Sequence, residues 1–397
     1  MLFKLKINKT LFPMIIAFES MTLLYIINYT YLFGGISGQV LRLVIIMCLA
    51  AAVILDYSNQ CLVKAKQLPW IVLFLIVLFI SLLNDNISLL QILCTIFIFK
   101  NANISEIEQV ISIDFWVKVA FTILAAGGSL AGVVYMRFVK EGVPSYGFSH
   151  VNRFGGFLLL IAIEFFILNK DRISSLIFSA FILFIEIYIN CRTGMLLCLF
   201  VIMLEIIYVL FCRLRELKFG KLIKKIYLYL MGLASAAVVL VSYYFMVNYD
   251  NRNSIHFALN QLLNTRLVLS NNAYENYDIT LLGQMMEFVS ADQINTVDNY
   301  FALDNFFVYI LFVWGFLLAV IYLVAMAYFA KKIIDHRDIL LMSVFLVSVL
   351  FSFMENQMLD MGMNIIILYF GYYCLNKRNI DWDCVTRKKA RIRLNGG

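Results

Sequence analysis

Ile226-Tyr-Leu-Tyr-Leu-Met-Gly-Leu-Ala-Ser-Ala-Ala-Val-Val-Leu-Val-Ser-Tyr-Tyr-Phe-Met-Val-Asn248 is a run of 23 residues without one charged side chain. About 20 helical residues rising 1.5 Å each cross the roughly 30 Å hydrocarbon core of a bilayer. A barrel strand would be half as long and would alternate apolar with polar residues. In lipid the backbone must also satisfy its own hydrogen bonds, so a run of this kind is a transmembrane helix. Comparable runs lie upstream at 11–33, 39–57, 69–83, 87–99, 114–136, 152–169, 173–190 and 194–211, and downstream at 303–329, 339–354 and 359–375. The chain therefore reads as an all-α, polytopic transmembrane bundle of about 12 spans. Spans 1–9 fill residues 1–248, a large loop fills 249–302, spans 10–12 fill 303–375, and a basic tail fills 376–397.

Composition agrees. Hydrophobic residues make up 63% and charged residues 14%, against about half and a quarter in soluble domains, so the excess must face lipid. The first apolar stretch, to about Phe33, is too long for a signal-peptide core and no small-residue cleavage site follows it. It reads as a retained span.

The net charge of +7 would suggest nucleic acid only if the cations shared one solvated face, and they do not. About 24 of the 32 Lys and Arg fall on one side of the spans, from Lys4, Lys6 and Lys9 through Arg213–Lys225 to the tail. By the positive-inside rule that side is the cytoplasm and holds both termini. Arg42 and Lys118 sit near span ends, where long side chains can snorkel to the interface. The opposite side carries Arg137, Lys140, Arg153, Arg192, Arg252 and Arg266. Five of these six are Arg, although Lys predominates about two to one inside. Topology does not choose Arg over Lys; bidentate recognition of phosphate or carboxylate does.

The same side holds the long loop 249–302, with amphipathic pieces such as Ile255–Leu269, and a shorter loop near 137–151. Loops of that length are usually functional or disordered. The 8 Cys offer no CxxC, and only Cys191 approaches the outer face, so no disulfide pair is available there. No metal-ligand spacing occurs. Several polar elements converge outward: Ser145-Tyr-Gly-Phe-Ser-His-Val-Asn-Arg-Phe-Gly-Gly156, the tight turn Asn190-Cys-Arg-Thr-Gly194, Arg266, and Asp304-Asn305 at the loop exit. Each has a plain structural alternative. Gly155-Gly156 permits close helix packing, Asn152-Arg153 and Asp304-Asn305 suit helix starts, and His150 fits an ordinary loop. As a set of outward arginines around a polar loop they suggest a pocket for an anionic head group at the outer leaflet.

Gly147-Phe-Ser-His150-Val-Asn152-Arg-Phe-Gly155 resembles the Gly-x-x-His-x-Asn-x-x-Gly element of Wzy-type polysaccharide polymerases, in the O-antigen polymerase and ligase superfamily. Arg192-Thr-Gly194 is similar to their Arg-Thr/Ser-Gly turn, and Asp304-Asn305, eleven positions before Gly315, to their Asp-Asn entry into the span after the large loop. Val151 and Phe307 stand where Pro and Tyr are common in that family.

The resemblance implies a GT-C-like fold and an enzyme in a bacterial plasma membrane. It would extend capsule, O-antigen or exopolysaccharide outside the cell by joining repeat units carried on undecaprenyl diphosphate. A hydroxyl of the acceptor attacks the anomeric carbon of the donor, and undecaprenyl diphosphate leaves. Arg192 and Arg266, then Arg153 and Arg137, are the expected diphosphate ligands. No cofactor or metal is expected, since no outward Asp-x-Asp is present and arginine can stabilise the leaving charge. His150 or Asp304 is the expected base, with Glu287 a further candidate and Asn152 and Asn305 as other site residues. Membrane lipid, a chain-length regulator and a flippase are the implied partners; nucleic acid is not. Two alternatives share the sequence features. A ligase would transfer finished glycan to another acceptor, and a flippase or transporter would use the intramembrane Glu19, Glu164, Glu186 and Glu205.

Overall fold

The computed structural model describes residues 11–33, 68–84, 88–138, 142–214, 220–288 and 301–375. The expected span 39–57 and the basic tail lie outside the described residues. Among those described the regular structure is helical, with only the isolated bridges Thr30–Phe148 and Phe138–Pro144. Among the described residues six helices are long and apolar enough to cross a membrane: α1 (Leu11–Tyr29), α4 (Ile104–Leu130), α5 (Val151–Leu168), α7 (Arg192–Leu214), α8 (Gly220–Asn248) and α12 (Phe316–Asp335). Between them lie α2 (Leu68–Leu83), α3 (Ser88–Phe99), α6 (Arg172–Tyr188), α9 (Ser254–Leu262), α10 (Arg266–Asn276) and α11 (Phe306–Tyr309). The chain continues through α13 (Ile339–Met354) and α14 (Ile366–Phe370).

The three prolines respect these elements. Pro13 and Pro69 lie in the first turns of α1 and α2, where no intrahelical N–H bond is lost, and Pro144 lies in a loop. Helix α5 is central: every residue from Phe154 to Glu164 is buried, as expected of a helix apolar on all faces. By contrast α8 and α12 turn Leu233, Leu240 and Val324 outward, a surface suited to lipid.

Helix α4 begins ten residues before the expected 114, because a capping box starts it. The Asn103 side chain accepts the Glu106 N–H at 3.0 Å, and Glu106 accepts the Asn103 N–H at 2.9 Å. Its polar opening turns hide the start from a hydropathy reading. The shift moves Lys118 from a span end to mid-helix. Instead of snorkelling, Lys118 is 0% exposed and ion-paired to Asp114 on its own helix and to Glu164 on α5.

The expected continuous span 303–329 is broken. Helix α11 runs into a π turn, Ile310–Trp314, and Gly315 at φ 87° and ψ 165° redirects the chain into α12. The segment 280–284 repairs the interrupted backbone. Phe316 N–H donates to Thr280 O at 2.9 Å and Gln284 N–H to Phe312 O at 3.2 Å. Asn84 Nδ2 donates to Leu282 O at 2.8 Å and to Val313 O at 3.0 Å. Only glycine suits Gly315, since a Cβ there would strike the backbone of Gly283 and Leu282. Gly315→Ala is expected to cost at least about 1–3 kcal/mol in backbone strain alone. Thermal unfolding in detergent should show it as a lowered midpoint; an unchanged midpoint would mean the break accepts a side chain.

The last expected span, 359–375, is also divided. Two 3-10 turns, Asn356–Leu359 and Met361–Met363, precede α14, which ends in a π turn Gly371–Leu375. Gly362 lies against the backbone of Thr22 in α1, so this polar turn is wedged into the bundle.

Candidate functional site

The N-terminus of α5, the C-termini of α1, α6 and α13 and the N-termini of α7 and α10 gather at one end of the bundle. The loop before α5 is placed by α1: Tyr31 N–H donates to Gly147 O and Ser149 N–H to Tyr29 O, both at 2.8 Å. Gly147 adopts φ 81°, and a Cβ there would strike the carbonyl of Ala125 in α4. Arg137 Nη1 donates to Ser149 O at 3.2 Å from the other side.

His150 then caps α5. Its Nδ1 accepts the Asn152 N–H at 3.1 Å, which leaves the neutral ring's proton on Nε2. Burial, reinforced by the nearby Arg137 cation, holds His150 below the usual histidine range. At neutral pH it is therefore a neutral ring whose free corner donates, which suits an anion or sugar oxygen better than proton abstraction.

Arg153, one turn into α5, is 21% exposed and pairs with Asp360 at 3.4 Å. Its guanidinium lies over the Tyr29 ring, 4.1 Å from the centroid. Burial pushes Asp360 up to about 6, with Arg153 opposing. Gln357 ties the wedge to α5 by donating Nε2–H to Asn152 O at 3.0 Å, while its Oε1 accepts from Tyr25 Oη at 2.8 Å. Gly156 is required by that contact, because a Cβ there would overlap the Gln357 amide. Gly155 and Gly194 face the buried carboxylate of Glu186 in the same way. The glycines that stood out in the sequence thus make room for polar side chains at helix crossings.

Arg266 opens α10 and is almost wholly buried. It forms an ion pair with Glu355, the C-terminal cap of α13, while its Nε lies 3.8 Å from Asp304 Oδ2. Asp304 is the open member, 28% exposed against 6% for Glu355. Burial and the neighbouring Glu355 carboxylate raise Asp304 above the usual aspartate range. Four charged groups, Arg137 and Arg153 from nearby and Arg266 and Asp304 from more than a hundred residues on, lie within electrostatic reach of His150.

The remaining candidates are arranged differently. Arg192 is exposed at the start of α7 and donates Nη1–H to Asn264 Oδ1 at 3.3 Å, two residues from Arg266. The Asn152 side chain lies 3.9 Å from Cys191 Sγ. Asn305 is buried and committed to structure, accepting the Phe307 N–H at 3.0 Å to cap α11 and donating to Ser242 Oγ at 2.7 Å. Glu287 is exposed, and among the described residues no hydrogen bond or ion pair joins it to this cluster. Among the described residues no group of three or more His, Cys, Asp or Glu is arranged to hold a metal ion. Glu355, Gln357 and Asp360 were not singled out in the sequence. Their signal is the short polar run Glu355-Asn-Gln-Met-Leu-Asp360 between the last two apolar stretches, on the side that carries the arginines.

No protein-family model matches the chain, and no curated protein or solved structure matches it either.

Proposed function

We propose that this protein polymerises lipid-diphosphate-linked oligosaccharide repeat units at the outer face of a bacterial plasma membrane. In this reading the end of the bundle with His150 faces outward, both termini are cytoplasmic, and about 12 spans form a GT-C-like bundle. The observation that carries it is the gathering of Arg137, Arg153, Arg266 and Asp304 around His150 at the head of the central helix. A glycosyl transfer with a diphosphate leaving group needs cations where charge develops and a group that accepts the proton of the attacking hydroxyl. Arg192, Arg137 and Arg153 have exposed or partly exposed side chains and face the phosphates in this scheme. Arg266, paired beneath them with Glu355, acts through its carboxylate neighbours.

The test is reconstitution in proteoliposomes with undecaprenyl-diphosphate-linked repeat units, the products resolved by length. Wild-type protein is expected to give a ladder. Arg192→Lys keeps the charge but not the planar fork, and is expected to slow extension about tenfold. A ladder of unchanged length and rate would remove Arg192 from the diphosphate site. Transfer to a second acceptor without lengthening would identify the ligase alternative.

One observation favours a second reading, a flippase for the same lipid-linked glycan. Asp114, Lys118 and Glu164 form a fully buried ionic group, with Glu19 beside it, and intramembrane charge often marks a transport path. Deletion in the host separates the two. Single repeat units at the surface support the polymerase, whereas units held on the cytoplasmic side support the flippase.

A further inference from the structure

We propose that Glu355 is a positioning residue: with Arg266 it holds Asp304 as the proton acceptor for the attacking hydroxyl. This rests on the polymerase reading and assigns the proton step within it. The sequence left that step open among His150, Asp304 and Glu287.

Geometry narrows the choice. The Nδ1 lone pair of His150 is taken by the Asn152 N–H, so the neutral ring has no free lone pair at its Nε2 corner. Glu287 is exposed and has no described link to the cluster. Glu355 is covered and engaged by the guanidinium of Arg266. Asp360 is open to a similar degree as Asp304 but accepts a hydrogen bond from Arg153 Nη1 at 3.4 Å. Asp304 shares the Arg266 guanidinium at 3.8 Å without a hydrogen bond from its Nε and is open to solvent on one side. Two carboxylates thus compete for one cation. Arg266 favours the ionised form of Asp304, and Glu355 opposes it by like-charge repulsion. Charged or titratable groups from each packed element face Asp304: Glu355 from the end of α13, Arg266 from α10, and Arg153 and the neutral His150 from the head of α5.

The step balances without a further reactant. The acceptor hydroxyl gives its proton to the Asp304 carboxylate as its oxygen bonds to the anomeric carbon of the donor. The bond from that carbon to the phosphate oxygen breaks, and its electron pair leaves on undecaprenyl diphosphate. Asp304 then releases the proton to water through its open side.

Two readouts test the proposal. In proteoliposomes, extension should fall on the acid side as Asp304 becomes protonated. Glu355→Gln removes the neighbouring anion, so Asp304 should ionise more readily and the acid limb should move down by about one pH unit. Glu355→Asp keeps the charge and should return the limb towards wild type. A merely structural Glu355 would lower the rate at every pH and leave the limb in place. Independently of activity, the carboxyl stretch of Asp304, assigned by infrared difference against Asp304→Asn, should titrate lower in Glu355→Gln. Should that variant fail to fold, Arg266→Gln withdraws the cation instead and should move both readouts to higher pH. A ladder with an unmoved limb and carboxyl band overturns the role of Glu355 and leaves the polymerase reading standing. A moved carboxyl band in a protein that extends nothing overturns the polymerase reading, and Asp304's role as acceptor with it.

Discussion

Replacing Lys118 with methionine is expected to cost the fold about 3–5 kcal/mol, the usual consequence of removing one partner from a buried ion pair. Lys118, Asp114 and Glu164 are all 0% exposed, so water cannot take over when the ammonium goes. Thr22 Oγ1 donates to Asp114 Oδ1 at 2.6 Å, which covers one oxygen but supplies no positive charge. Glu19 lies close enough to add a further carboxylate to the same region. Methionine fills the aliphatic volume of the lysine stem, so packing alone does not account for the loss. In detergent, Lys118→Met should lose monodisperse protein and its thermal midpoint should fall well below wild type. The triple variant Lys118→Met, Asp114→Asn, Glu164→Gln removes the charges together and should recover much of the difference, since a whole buried network is often replaceable where half of one is not. A single variant as stable as wild type would show that the pair contributes nothing net.

Lys118 also marks a limit of reading sequence by hydropathy. Its neighbours Trp116, Val117, Val119 and Ala120 suggested an apolar run beginning at about 114, and a lysine near the start of a run is ordinarily an interfacial anchor. What decided otherwise was the Asn103–Glu106 capping box ten residues upstream, a local signal outside the apolar window. The π turn and break at Gly315 were hidden for a related reason. Phe306–Trp314 and Phe316–Phe329 are both apolar, and only the φ of Gly315 and its contact with Gly283 divide them.

The candidate site was legible to the extent that single residues announce themselves. Excess arginine on one side, the His150 segment and the Asp304-Asn305 exit pointed to one end of the bundle, and the structure brings His150, Arg137, Arg153, Arg266 and Asp304 together there. Partnership was not legible. Arg266 and Glu355 are 89 residues apart, and nothing in either neighbourhood names the other. Nor does the sequence show that Asn305 spends its side chain on capping α11 while the adjacent Asp304 stays open.

Asp304→Asn is expected to slow polymer extension by about a hundred- to ten-thousandfold, the range over which a positioned proton acceptor contributes. The substitution preserves size, but the amide cannot take up a proton from an attacking hydroxyl. Ionised aspartate ordinarily has a pKa near 3.9 and is a weak base at neutral pH. Burial together with Glu355 raises Asp304 towards the range where a carboxylate is both ionised and basic enough to act. Wild-type activity should therefore rise with pH through an acid limb lying above the ordinary aspartate range. In Asp304→Asn that limb should vanish along with most of the rate. The folded yield should stay close to wild type, because Arg266 keeps its ion pair with Glu355 and the cap on α11 belongs to Asn305. Folding controls come from the detergent profile, and extension is measured with the same lipid-linked repeat units in proteoliposomes. A rate within about threefold of wild type at every pH would exclude Asp304 from the proton transfer and leave Asp360, 24% exposed beside Arg153, as the other open carboxylate of the cluster.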